Sequence, residues 1–255
     1  MNIQSTDAAR LVAQIVSSLE QGGEVIALTG AGASAESGIS PFRAPGHLGM
    51  MWSGVGALGV GLAGTGYAWQ MWPRVANFFY QRFFKSAVDR AKPNACHYWL
   101  AECGARIVTT NVDNLHERAG SRSEDVSAIH GTVYREMCTE CGSEQLPCHG
   151  HQRPAVLFFH DHIRNNAVYD AGARLAFNTH VRPEQTTWVF VVGVSWAVPS
   201  LRMILSDLRA KTKNIVHVNL CCPPEPYFAD GDVWVKESAD TFFERLRYAS
   251  HVNVW

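Results

Sequence analysis

Asn111 and Asp113 follow a strand-like segment at 106–109 centred on the apolar Ile107 and Val108, so they stand where a strand would end. Open α/β sheets bind ligands at such C-terminal strand ends. The single residue between the two puts both side chains on one side of an extended segment. The alternative reading is an Asx-turn pair that only shapes a loop. His130, between Ile129 and Gly131, carries a group whose ordinary pKa near 6.5 suits a general base at neutral pH.

A second feature lies upstream. Residues 25–38 (VIALTGAGASAESG) read as a strand running into a glycine turn. Gly30 and Gly32 would let the backbone approach a pyrophosphate, and the amides of a helix start just beyond them would face the anion. A tight strand–helix turn without a ligand is the alternative. An ordinary dinucleotide fold also needs an acid about 20 residues on for the ribose hydroxyls. No Asp or Glu occurs from Gly38 to Val88, which argues against a standard dehydrogenase.

Of the seven cysteines, Cys138, Cys141 and Cys148 are clustered, with His149 and His151 beside them. A tight Cys-x-x-Cys pair reads as metal ligation or redox chemistry. Cys138, Cys141, Cys148 and His151 have the donor types and spacing of a zinc set, with His149 as an alternative to His151. Solvent-exposed histidines explain these two equally well. The scattered Cys96, Cys103, Cys221 and Cys222 are expected to be small buried residues.

The elements that must carry these groups can be read from hydrophobic spacing. Strand-length apolar runs occur at 25–28, 107–108, 155–159, 188–192 and 215–220. Several are nearly continuous in Val, Ile and Phe, as in strands covered on both faces. Helical spacing places Leu11, Ile15 and Leu19 on one face behind a cap at Thr6 or Asp7. A second helix after Pro199 carries Leu201, Ile204, Leu205 and Leu208, and a third from about Ala239 carries Phe242, Phe243 and Leu246. Alternation of this kind predicts an α/β fold with a Rossmann-like parallel sheet. Two stretches break the rhythm. Residues 46–66 hold eight glycines, then an aromatic helical stretch spans 69–90, and 138–151 form the Cys/His segment. Both are read as insertions into a single domain of residues 1–255. Together they make a smaller zinc-ribbon and helical module, from about 46–92 and 136–153.

The 255 residues are 47% hydrophobic, enough for a sizeable core without disulfides. Lys plus Arg number 22 against 23 Asp plus Glu, a balance that argues against a broad nucleic-acid footprint. No apolar run approaches the roughly 20 residues of a spanning helix, and the first residues lack a signal-peptide layout. A cytoplasmic protein without direct membrane or nucleic-acid contact is the expectation.

Taken in order, the motifs resemble the sirtuin (Sir2) family of NAD-dependent protein deacylases. Residues 30–39 (GAGASAESGI) with 41–43 (PFR) resemble its first motif, and 109–120 (TTNVDNLHERAG) its T-Q-N-I-D-x-L-H segment. Residues 129–131 (IHG) resemble its catalytic histidine motif, 153–159 (RPAVLFF) its substrate-binding strand, and 192–195 with 218–219 its later nucleotide-binding segments. The resemblance runs from about 24 to 247. It implies NAD as cosubstrate, with Gly30, Ala31, Gly32, Ser34, Phe42, Arg43, Thr110, Gly193, Ser195 and Asn219 as contacts. Asn111 and Asp113 would hold nicotinamide and its ribose, and His130 would deprotonate a ribose hydroxyl. Val156, Leu157, Phe158 and Phe159 would receive an acyl-lysine protein or peptide by backbone strand addition.

The chain departs from the family pattern in three places. Thr110 stands where the family has glutamine, Gln145 where it has a third cysteine, and His160-Asp161 where it has Gly-Glu. Phe79 and Arg82 keep the spacing of a Tyr-x-x-Arg pair without the tyrosine hydroxyl. The first expectation is therefore a deacylase, most simply a deacetylase. The alternatives are an NAD glycohydrolase or ADP-ribosyltransferase of sirtuin type, as in a defence NADase, or a non-catalytic NAD or ADP-ribose sensor.

Overall fold

The computed structural model describes residues 5–39, 65–145, 150–158, 186–196 and 199–252. Six strands form one sheet: β1 (Glu24–Thr29), β2 (Arg106–Thr109), β3 (Val126–Ala128), β6 (Thr187–Val192), β7 (Asn214–Val218) and β8 (Val233–Val235). All are parallel, in the order β3-β2-β1-β6-β7-β8. The order reverses between β1 and β6, the topological switch point of a doubly wound sheet. The register is what matters for function. Ala128 pairs with Thr109, Thr109 with Thr29, Thr29 with Val192, Val192 with Val218 and Val218 with Val235. All six strands therefore end at one level, and the residues just past them line a single edge.

The period-two alternation of β1 feeds two cores. Val25 and Ala27 face α1 (Ser5–Glu20), α5 (Ala95–Glu102) and α8 (Ala239–Val252), packing with Leu11, Ile15, Trp99, Phe242 and Phe243. Ile26 and Leu28 face α7 (Pro199–Lys211), against Leu201, Ile204, Leu205 and Leu208. The three helices expected from spacing thus exist with their expected faces inward.

A third cluster lies outside the sheet. There α2 (Gly66–Met71), α3 (Pro73–Phe79), a π-helical segment (Tyr80–Lys85) and α4 (Ser86–Arg90) pack against an antiparallel hairpin of β4 (Gly131–Cys138) and β5 (Gln152–Val156). Trp69, Ala76, Tyr80, Val88, Val133 and Val156 form its buried centre. The helical stretch expected over 69–90 is divided into several helices, the first break falling where Trp72 leaves helical geometry and Pro73 restarts the helix at its first position. The hairpin starts before 136 and ends after 153, so it is longer than the expected insert at both ends.

Three expectations are corrected. Of the run at 155–159, the described residues are strand only to Val156; the Leu157 N–H donates to the carbonyl of His130 (2.9 Å), which lies in the turn just before the partner strand. The run at 215–220 ends as a strand at Val218. Of the four scattered cysteines only Cys96 is fully buried; Cys103 is half-buried, and Cys221 and Cys222 are exposed because they leave the sheet in the β7–β8 connection. No helix among the described residues is long and apolar enough to cross a membrane.

Candidate active site

The common strand level sets His130, Asn111, Gly30, Gly193 and Asn219 just past the ends of β3, β2, β1, β6 and β7. Ser34 ties the segments after β1 and β2 together. Its hydroxyl donates to Asp113 Oδ2 (2.8 Å) and accepts from Asn111 Nδ2 (3.0 Å). The Asn111 Nδ2 also donates to the Gly30 carbonyl (3.1 Å), so both amide hydrogens are committed and Oδ1 is the group left for a ligand. The Asn111 N–H donates to Thr109 Oγ1 (3.0 Å).

Asp113 is almost wholly buried, and that burial raises its pKa above the ordinary carboxylate value. Bonds from the Leu115 N–H (3.0 Å to Oδ1) and from Ser34 oppose the rise. This is an Asx-type contact of the kind read as an alternative, here combined with a long-range bond across the sheet edge. His130 is half-buried, and loss of water lowers its pKa, with a hydrogen bond to the Thr110 backbone acting the other way. Its imidazole is therefore neutral at neutral pH and able to accept a proton.

Behind the cluster lie residues that single-residue reasoning passed over. His97 approaches Ser34 Oγ (3.4 Å), and its Nδ1 lies 2.8 Å from Asn94 Oδ1; Asn94 caps α5 and donates from Nδ2 to the Ala33 carbonyl (2.8 Å). His116, on α6 (Leu115–Arg118), contacts Thr29 Oγ1 through Nε2 (3.0 Å), and its imidazole lies 4.8 Å from that of His97. Burial holds His97 well below its ordinary pKa and pushes His116 down to about 4. The only signal for these was the presence of His116 inside the 109–120 segment.

The glycine turn is defined by a close backbone approach. A Cβ on Gly30 would lie 2.7 Å from the Gly193 carbonyl oxygen, and one on Gly32 would lie 2.6 Å from Gly193 Cα. These glycines let the turns after β1 and β6 touch. Gly30 leads into a short 3-10 segment (Ala31–Ser34), and two early amides are used internally. Gly32 N–H donates to Gly193 O (3.0 Å) and Ala33 N–H to Gly30 O (2.9 Å). Ala31 is half-buried at the start of that segment. Thr110 turns back to β1, with both its N–H (3.1 Å) and its hydroxyl (3.4 Å) on the Thr29 carbonyl. Ser195 is exposed, and Asn219 is anchored by its Nδ2 to the Val194 carbonyl (2.9 Å). Phe42 and Arg43 lie outside the described residues.

On the hairpin, Val156 is buried and Phe158 stacks on Trp69 (5.6 Å between centroids), so both side chains face the small core. Leu157 binds the His130 carbonyl through its backbone; Phe159 lies outside the described residues. Cys138 ends β4 and its sulfur accepts from the Glu140 N–H (3.4 Å). Cys141 sits in the next turn, Cys148 lies outside the described residues, and His151 is exposed. Among the described residues, no three His, Cys, Asp or Glu side chains come together as a metal-holding group.

A doubly wound parallel sheet with an amide, a carboxylate and an imidazole at its switch-point edge defines a Rossmann-like α/β protein with polar groups where such sheets bind ligands. The Sir2 family profile matches residues 30–199. The chain is 32% identical over 247 residues to the NAD-dependent protein deacylase of Aeropyrum pernix, covering 90% of this chain and 93% of that one. It is 30% identical over 239 residues to NAD-dependent protein deacylase 2 of Pyrobaculum aerophilum, covering 87% and 88%. Its fold matches a solved Sir2–p53 peptide–NAD+ structure with a TM-score of 0.68 at 24% identity, over 94% of this chain and 98% of that one. The chain belongs to the Sir2 family.

Proposed function

We propose that the protein is an NAD-dependent protein-lysine deacylase, most simply a deacetylase, which cleaves NAD to nicotinamide and transfers the acyl group to ADP-ribose. One observation carries this reading: Ser34, Asn111 and Asp113 converge by hydrogen bonds at the strand edge that also holds His130, in a chain whose relatives bear that activity in their names. The donor set fits the cosubstrate. Bound NAD supplies the nicotinamide leaving group and the ribose carbon it departs from. Asn111 Oδ1 accepts from the ligand, because its amide hydrogens are held by Gly30 and Ser34. Asp113, desolvated and fixed on two sides, steadies positive charge beside it. His130, neutral, takes a hydroxyl proton. Gly30, Ala31, Gly32, Gly193, Ser195 and Asn219, with Phe42 and Arg43, complete the NAD contacts, and the backbone of 156–159 receives the acyl-lysine peptide.

Residues 1–255 act as one catalytic unit, with the small module of 46–92 and 136–153 beside the cleft. Cys138, Cys141, Cys148 and His151 are the proposed structural zinc ligands. Two contacts at Gly150 and His151 support this reading. The Thr139 N–H donates to the His151 carbonyl (2.8 Å), and a Cβ on Gly150 would lie 2.7 Å from Cys138 Sγ. Elemental analysis of the purified chain is expected to find about one zinc per chain, reduced by Cys138→Ser. Metal-free chain of unchanged stability would remove zinc from the account. The protein is read as cytoplasmic.

The test of activity is incubation with NAD, with and without an acyl-lysine peptide, measuring nicotinamide, acyl-ADP-ribose and ADP-ribose. Nicotinamide release should require peptide and fall roughly 10²–10⁴-fold in His130→Ala. Thr110 motivates the second reading, hydrolysis without an acyl acceptor, because its hydroxyl is spent on Thr29. Release that ignores the peptide would select that reading, and NAD binding without turnover would overturn both.

A further inference from the structure

The β7–β8 connection is pinned at both ends. At its start, Asn219 donates through its N–H to the Val235 carbonyl (3.2 Å) and through Nδ2 to the Val194 carbonyl (2.9 Å), and its carbonyl accepts from Trp234 Nε1 (2.9 Å). At its far end, Tyr227 stacks on Trp196 (4.9 Å, 10° between planes), and Asp232 takes Arg209 (2.6 Å) and His217 (3.1 Å). Between these pins the chain bends at Leu220 and Cys221, and both Cys221 and Cys222 are exposed. Two adjacent, accessible thiols thus lie two and three residues past Asn219, on the sheet edge that carries the site.

We propose that Cys221 and Cys222 are a redox-modification site, oxidised by hydroperoxides to a vicinal disulfide that weakens NAD binding. The chemistry balances without a metal. One thiolate attacks the peroxide oxygen, the O–O bond breaks and water leaves, giving a sulfenic acid; the neighbouring thiol then displaces its oxygen as a second water and the S–S bond forms. Two thiols are oxidised by two electrons, and hydrogen peroxide is reduced to two waters. Adjacent Cα atoms are about 3.8 Å apart across a trans peptide, below the usual span of about 4.4–6.8 Å for a disulfide. The bridge is therefore strained and readily reduced, as befits a reversible mark. Closing it forces the backbone at 221–222 to change beside Asn219, and Asn219 is bonded to the turn that contains Gly193 and Ser195. The effect on NAD rests on the proposed deacylase reading; the disulfide itself does not.

The sequence makes the test clean. Tryptic cleavage at Lys213 and Lys236 releases residues 214–236, which contain Cys221 and Cys222 and no other cysteine. After hydrogen peroxide treatment of the full chain, this peptide should lose about 2 Da and resist alkylation, both reversed by dithiothreitol. NAD affinity, by calorimetry, should fall at least about threefold on oxidation and recover on reduction. Cys221→Ser and Cys222→Ser should each bind NAD like the reduced chain before and after peroxide. A peptide that stays fully alkylatable, becomes sulfinic acid or cross-links to another chain would overturn the proposal, as would an intrapeptide disulfide with unchanged NAD affinity. Reduced protein that fails to bind NAD, with the disulfide still forming, would instead sink the deacylase reading.

Discussion

Ser34 organises the cleft because one hydroxyl can accept from Asn111 while donating to Asp113. The imidazoles behind it carry a cost that appears in stability. His97 and His116 are buried and held neutral, with folded pKa values below their unfolded value. For such groups the stabilisation is fully present above the unfolded value near 6.5 and is lost as pH falls towards the folded one. Below pH 6.5 the unfolded chain binds protons that the folded chain refuses. For His116, pushed from 6.5 down to about 4, the loss is on the order of 3 kcal/mol once pH reaches 4. Urea denaturation should show stability falling between about pH 6.5 and 4, less steeply in a folded His116→Gln variant. A flat profile there would contradict neutral burial of this pair.

At the scale of elements, the turns after β1 and β6 lock together through glycines. Gly193 has φ of +60°, and a Cβ there would meet Gly32 Cα at 2.4 Å. The conformation alone costs a side chain roughly 1–2 kcal/mol, before the contact is counted. Gly193→Ala should therefore lower unfolding free energy by more than about 2 kcal/mol and abolish NAD binding. Near-native stability would show that the turns can separate freely. The same elements show what was legible. The Val- and Ile-rich centres of β1 and β6 and the Leu/Ile stripe of α7 are visible in sequence because both faces, or one full stripe, are buried. By contrast β3 has three residues, and β4 contains a register shift between Thr132 and Glu136 that breaks any alternation. α5 escaped because His97, which points inward to Ser34, reads as polar in any pattern. Asn111, Asp113 and His130 were legible from their positions after strands. The partners that hold them, Ser34 across 79 residues to Asp113 above all, depend on the fold.

Over the whole molecule, one strand level explains why groups distant in sequence meet. The parallel register brings six strand ends to one edge, and the switch point between β1 and β6, where such sheets bind ligands, lies there. The small cluster of helices and hairpin stands beside that edge through Leu157, whose N–H is bound by the His130 carbonyl. His130 and the hairpin are thus joined directly, which suits the proposed reaction, in which peptide and nucleotide must meet at one imidazole. The central claim is that nicotinamide release and acyl removal are one coupled event at this edge. The measurement that tests it most directly is a single-turnover experiment with excess enzyme, NAD and acetyl-lysine peptide, counting nicotinamide against deacetylated peptide. The account predicts equal amounts of both, appearing together; nicotinamide formed in excess of deacetylated lysine, or without it, would contradict it.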